Sequence, residues 1–127
     1  MTFELAKTFG FESAHRLPHL PAEHKCARLH GHSFRVEVQV RGPLDPVLGW
    51  VMDYGAIKAA VSPLIEQLDH RYLNDIEGLE NPTSEVLAVW LWQRVAPLLP
   101  GLSAIIVRET CTSACTYRGG VKAVDPN

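Results

Sequence analysis

From Phe34 to Arg41 the chain alternates without a break: Phe34, Val36, Val38 and Val40 are apolar, while Arg35, Glu37, Gln39 and Arg41 are polar. A period of two belongs to a β-strand with one buried face. Extending the apolar parity backwards reaches His32 and then His30, so two imidazoles follow the valines onto the face to be covered. An earlier segment repeats the pattern, with Phe3, Leu5, Phe9 and Phe11 on one parity and Glu4, Thr8 and Glu12 on the other. Its apolar parity continues to Ser13 and His15. Two such strands require a sheet and a second layer to cover it.

The remainder of the chain supplies that layer. Ile57, Ala60, Val61, Leu64, Ile65 and Leu68 recur at helical spacing after Asp53, a suitable N-cap. A second helix is expected from Asn81-Pro82-Thr83-Ser84-Glu85, with the proline in its first turn, through Trp90 and Trp92 to about Leu98. Its apolar girth calls for burial on two sides. A third strand over Ala104–Thr110 places Ile105, Val107 and Glu109 on one parity, and a short fourth strand is expected around Thr116–Arg118. Arg41–Gly49, with two prolines, reads as a loop. The order ββααββ is an α+β domain with helices against one antiparallel sheet.

At 127 residues the chain fits one domain, expected over 1–120 and followed by a tail, 121–127. Its 46% hydrophobic and 20% charged content is that of a globular protein, and a net charge of −2 gives no support to a nucleic-acid partner. No apolar run approaches the ~18 residues of a spanning helix, so no membrane partner is expected. Glu4, Lys7 and Glu12 interrupt the first segment, unlike a signal-peptide core, and three cysteines argue against a closed disulfide framework. The expected location is the cytoplasm.

Five of the six histidines precede residue 33. Residues i and i+2 of a strand project to one side, roughly 6.6 Å apart, and two imidazoles leaning together can share an ion. His15 arrives on the inward face of the neighbouring strand, and three neutral histidines with an open fourth position form a catalytic zinc pattern. Cys26 lies four residues before His30, flanked by Lys25 and Arg28. It is either a fourth ligand, closing a structural site, or a reactive thiol beside an open one. Cys111 and Cys115 read as free thiols at a strand end. Asp69-His70 is either a carboxylate–imidazole proton relay or a favourable cation at a helix C-terminus. A carboxylate on a buried parity needs a partner. Glu109 therefore either pairs with an arginine, such as Arg118 or Arg108 of a neighbouring chain, or awaits a ligand with paired N–H donors.

Five ordered blocks, Phe11–Leu17, Cys26-x3-His30-Gly31-His32, Leu68-Asp69-His70, Asn81–Glu85 and Val107–Thr110, resemble the 6-pyruvoyltetrahydropterin synthase superfamily. The resemblance implies a tunnelling fold (T-fold), whose ββααββ order agrees with the pattern read above. It also implies homo-oligomers in which trimeric rings form a β-barrel and pair into a hexamer, with sites between subunits. Three residues between the cysteine and HGH are similar to the branch that makes 6-carboxytetrahydropterin for queuosine, from 7,8-dihydroneopterin triphosphate with release of acetaldehyde and triphosphate. Pyruvoyltetrahydropterin formation, or side-chain cleavage of pterins such as sepiapterin, is the enzymatic alternative. A structural zinc module held by one cysteine and three histidines is the non-enzymatic one. By the same resemblance His15, His30 and His32 bind zinc, Cys26 is the general acid/base, and Asp69 with His70 completes a proton relay. Glu109 holds the pterin's amino-pyrimidine edge. Thr83, with Ser84 and Glu85, contributes to a neighbouring subunit's site, and Lys25, Arg28 and Arg16 are candidate triphosphate contacts.

Overall fold

The structure is a computed structural model that describes residues 2–120; the expected tail, 121–127, lies outside the described residues. Two strands, β1 (Thr2–His15) and β2 (His30–Pro43), form a long antiparallel pair. The alternation continues through both histidines, and β2 runs on through Arg41, Gly42 and Pro43 into what the sequence suggested was loop. The turn that follows is set by Asp45, whose Oδ1 accepts from the Val47 and Leu48 amides at 2.8 and 2.9 Å.

Next come α1 (Tyr54–Leu68), α2 (Ser84–Val95), β3 (Leu102–Thr110) and β4 (Ser113–Tyr117). The sheet order is β1-β2-β3-β4, antiparallel throughout. Asp53 caps α1, its Oδ1 accepting from the Gly55 amide at 2.8 Å. Pro63 sits inside α1, where it denies the Ala59 carbonyl a partner. Both residues face solvent, so water can meet the freed carbonyl.

The start of α2 differs from the sequence expectation. Thr83 is the N-cap, its hydroxyl accepting from the Val86 amide at 3.1 Å, and the helix begins at Ser84 rather than at Pro82. It ends at Val95, three residues before Leu98. Leu87, Ala88, Trp90, Leu91 and Val95 are buried, and the helix packs on β3 and β4. Gly119 takes φ 73° beneath Trp92, where a Cβ would lie 2.5 Å from the indole. Only glycine satisfies both demands. The strand expected at Thr116–Arg118 begins earlier, at Ser113, and ends at Tyr117.

The core lies between sheet and helices, with Phe11 stacked on Phe34 at 4.8 Å and Ile57, Leu68, Leu87, Leu91, Ile105 and Val107 fully enclosed. On β3, Ala104 and Ile106 are buried as well as Ile105 and Val107, so one face does not account for its burial. Ile106 is flanked by Glu37 and Thr116. Glu37 is bound to Gln39 and Arg108, and the aliphatic stems of these polar residues shield the far face. Among the described residues no helix is long and apolar enough to cross a membrane.

Candidate metal centre and its surrounding cleft

Register assembles the site. Pairing of β1 with β2 sets His15 directly opposite His30 and Ser13 opposite His32. All four side chains therefore share the covered face. The imidazole rings form a near-equilateral triangle with centroids 4.6, 4.8 and 5.1 Å apart, packed edge to face. One ligand atom from each ring lies within 4.8 Å of the others. Phe34 supports the group from below, 5.5 Å from both His15 and His32.

The donor chemistry fits a metal ion. His15 is 1% exposed, and its Nδ1–H donates to the Pro82 carbonyl at 2.9 Å. A carbonyl only accepts, so Nδ1 carries the proton and Nε2 presents its lone pair. That Nε2 is buried with no hydrogen-bond partner. His30 repeats the device, its Nδ1–H donating to the Arg28 carbonyl at 2.8 Å. Burial pushes the His15 and His32 imidazoles below their ordinary value of 6.5, outweighing the opposing pull of the Pro82 carbonyl on His15 and of Glu109 on both. The shift favours the neutral form of both rings, the form that ligates.

Glu109 closes one side. Its Oε1 stands 3.4 Å from His32 Nε2, and its Oε2 accepts from the Ser84 hydroxyl at 2.5 Å. No arginine of the same chain meets it among the described residues. Arg108 turns to Glu37 at 3.3 Å, and Arg118 forms no ion pair among the described residues. A carboxylate has about four lone-pair positions and the Ser84 hydroxyl takes one, so others remain for a ligand. Thr83, by contrast, spends its hydroxyl as the α2 cap. Ser84 is the residue that reaches Glu109.

Asp69 and His70 sit where α1 ends. Asp69 Oδ2 pairs with His70 Nδ1 at 3.0 Å, and Asp69 Oδ1 accepts from the Glu12 amide at 2.9 Å. That amide bond first, and the imidazole second, hold the Asp69 carboxyl below the usual carboxylate range. His70 takes the left-handed conformation, φ 56°, uncommon for a non-glycine residue. It lines an open cleft of about 570 Å³ together with Ser13, Gly31, His32 and Tyr72. A Cβ on Gly31 would meet only the Ser13 carbonyl, at 3.6 Å, so its missing side chain leaves cleft space rather than relieving a clash.

Cys26 lies half-buried on a short 3-10 turn, Lys25–Ala27, before β2. Among the described residues it is not part of the three-histidine grouping. The turn is fastened to the exit of β1 by Leu17 N–H donating to the Cys26 carbonyl at 2.8 Å. Arg16, Lys25 and Arg28 are exposed around it. Cys111 is exposed in the β3–β4 turn, while burial and the nearby Glu85 and Glu109 push the Cys115 thiol up.

Two imidazoles held below their ordinary value make a pH prediction for the metal-free protein. The unfolded chain binds more protons in the interval below about 6.5, so stability is full above that value and falls as pH drops through it. Thermal unfolding of chelator-treated protein from about pH 8 to about pH 5 should show this decline, and His15→Gln should flatten it. A midpoint that rises on acidification contradicts it.

The comparisons with known proteins agree with the geometry. The family model described as 6-pyruvoyl tetrahydropterin synthase matches residues 4–120. The chain is 49% identical over 117 residues to 6-carboxy-5,6,7,8-tetrahydropterin synthase of Synechocystis, covering 87% of this chain and 89% of that protein. It is 33% identical over 129 residues to the protein of the same name from Bacillus subtilis, covering 92% and 86% respectively. Caenorhabditis elegans 6-pyruvoyl tetrahydropterin synthase superposes with a TM-score of 0.86 at 28% identity, covering 94% of this chain and 96% of that one. A T-fold chain with this match over nearly its whole length belongs to the 6-pyruvoyl tetrahydropterin synthase family, and with it to the lyases.

Proposed function

We propose that the protein is a zinc-dependent 6-carboxytetrahydropterin synthase of queuosine biosynthesis, converting 7,8-dihydroneopterin triphosphate and one water to 6-carboxytetrahydropterin, acetaldehyde and triphosphate. The observation that carries this reading is the Glu109 carboxylate, 3.4 Å from one edge of a three-imidazole centre. A flat heterocycle with neighbouring N–H donors, held at Glu109, extends its side chain beside the metal ligands. The 49% identity to the Synechocystis enzyme supports this product over the pyruvoyl alternative.

His15, His30 and His32 hold the zinc. The chemistry that bound zinc supplies is Lewis-acid polarisation of side-chain oxygens, which acidifies the neighbouring C–H. Glu109 accepts two N–H bonds from the pterin edge and fixes the ring, with the Ser84 hydroxyl aiming the carboxylate. Cys26 takes and returns a proton at the side-chain carbon. His70, oriented by Asp69, exchanges the proton of a side-chain hydroxyl that collapses to the carbonyl of acetaldehyde. Exclusion of Cys26 from the ligand grouping supports a thiol acid/base over a fourth ligand. Incubation with 7,8-dihydroneopterin triphosphate, with mass analysis of the pterin and an acetaldehyde assay, tests the reading directly. A pyruvoyl product, or no turnover, overturns it.

Assembly belongs to the same proposal. β1 and β4 are the sheet edges, and among the described residues the outer side of β1 is met only over Glu12–Ala14, by residues 68–72. Exposed strand edges invite pairing with another chain. Trimeric rings paired into a cytoplasmic hexamer satisfy them and bring neighbouring chains to the cleft. Sedimentation should give a hexamer; a fully active monomer contradicts it.

Two substitutions separate the roles. Cys26→Ala should retain zinc and lose activity by about 10²- to 10⁴-fold, the usual worth of a general acid/base. Parallel loss of metal and activity identifies a ligand instead. Glu109→Gln presents an NH2 group to a ring N–H, a mismatch worth about 2–4 kcal/mol, or roughly 30- to 1000-fold in kcat/KM. Metal content and fold should be unchanged, and undiminished pterin affinity would contradict the assignment.

A further inference from the structure

Ser13 is an anomaly on the buried face of β1. It stands between Phe11 and His15, 8% exposed, where a hydroxyl is costly unless bonded. Its oxygen is bonded twice, and both partners lie in the segment that presents Asp69 and His70. Ser13 Oγ donates to the carbonyl of Leu68, the last residue of α1, and accepts from the Arg71 amide at 3.2 Å. The hydroxyl therefore spans the dyad, holding the residue before it and the residue after it.

The neighbours of Ser13 add backbone bonds to the same segment. His70 N–H donates to the Glu12 carbonyl at 2.6 Å, and Ala14 N–H donates to the Arg71 carbonyl at 3.0 Å. The Glu12 amide binds Asp69 Oδ1. Glu12, Ser13 and Ala14 thus grip residues 68–71, and the grip coincides with the left-handed backbone of His70. A residue in a sparsely populated conformation persists when its surroundings over-determine it. Most of those bonds are backbone bonds that any residues could make. The Ser13 hydroxyl is the side-chain contribution, and Ser13 pairs across the ladder with His32, so the contact ties the dyad to the metal-ligand strands.

We propose that Ser13 is a positioning residue, fixing the Asp69–His70 dyad at the end of α1 against β1. Its hydroxyl acts through the backbone on either side of the dyad. Removing the hydroxyl frees the Leu68 carbonyl and the Arg71 amide, lets residues 69–70 relax, and displaces the imidazole from its working position. Small displacements of an acid/base group lower turnover without weakening ground-state binding.

The inference rests on the proposed pterin chemistry for its assay, and a double-mutant cycle tests it. Ser13→Ala should lower kcat by roughly 10- to 100-fold while leaving KM and zinc content at parent values. Ser13→Thr, which keeps the hydroxyl, should retain kcat within about threefold of the parent. In the His70→Ala background, Ser13→Ala should change kcat by less than about twofold, because the group it positions is gone. Additive losses in the double variant overturn the proposal, as does zinc loss in Ser13→Ala, which would place its effect at His15 or His32. A Ser13→Ala protein that does not fold also overturns it, by assigning the hydroxyl to the fold at large. Failure of the underlying reading looks different: the parent itself would not turn over 7,8-dihydroneopterin triphosphate.

Discussion

The pairing register of β1 and β2 is the constraint on which everything else in this molecule depends. It places His15 opposite His30 and Ser13 opposite His32, with Phe11 stacked on Phe34 immediately behind. A slip of one residue would turn one strand's inward set to the far face, breaking the core and the ligand triangle together. The Phe11–Phe34 stack and the valines beyond it make that slip expensive. Core packing therefore fixes the metal centre, because the same parity serves both.

The helical layer then finishes what the strands begin. Where α2 starts, the Pro82 carbonyl orients His15, Thr83 caps the helix, and the Ser84 hydroxyl meets Glu109. Three successive residues thus set a tautomer, a helix and a carboxylate. Where α1 ends, Leu68–Arg71 is laid against Glu12–Ala14, which brings His70 to the cleft that His32 lines. Both helix termini converge on the two-strand end that carries the histidines. The far end of the pair carries turn residues such as Asp45 and Gly49.

Much of this was legible in the sequence because period-two alternation is a strong signal. It located both strands and put His15, His30 and His32 on one face. The Asp53 cap and the helical spacing gave α1. The start of α2 was misread because Pro82 suits a first helical turn, whereas here its carbonyl is required by His15, 67 residues away in sequence. The inward parity of Glu109 calls for a partner, but its intrachain contacts, Ser84 and His32, follow from tertiary packing that no local pattern encodes. The double burial of β3 was hidden for the same reason, since polar stems from β2 and β3 shield Ile106. Ser13 was visible as an inward residue, yet a lone serine in a strand says nothing of the loop it holds.

The central claim is that these two strands build an open three-imidazole metal centre, with Cys26 not among its ligands. Replacing the native metal with cobalt and recording the electronic spectrum tests it most directly. The expected result is one ion per chain with ligand-field bands of a nitrogen and oxygen environment, and no thiolate-to-cobalt charge-transfer band. A strong thiolate charge-transfer band that disappears in Cys26→Ala would contradict it, showing a closed site of one cysteine and three histidines.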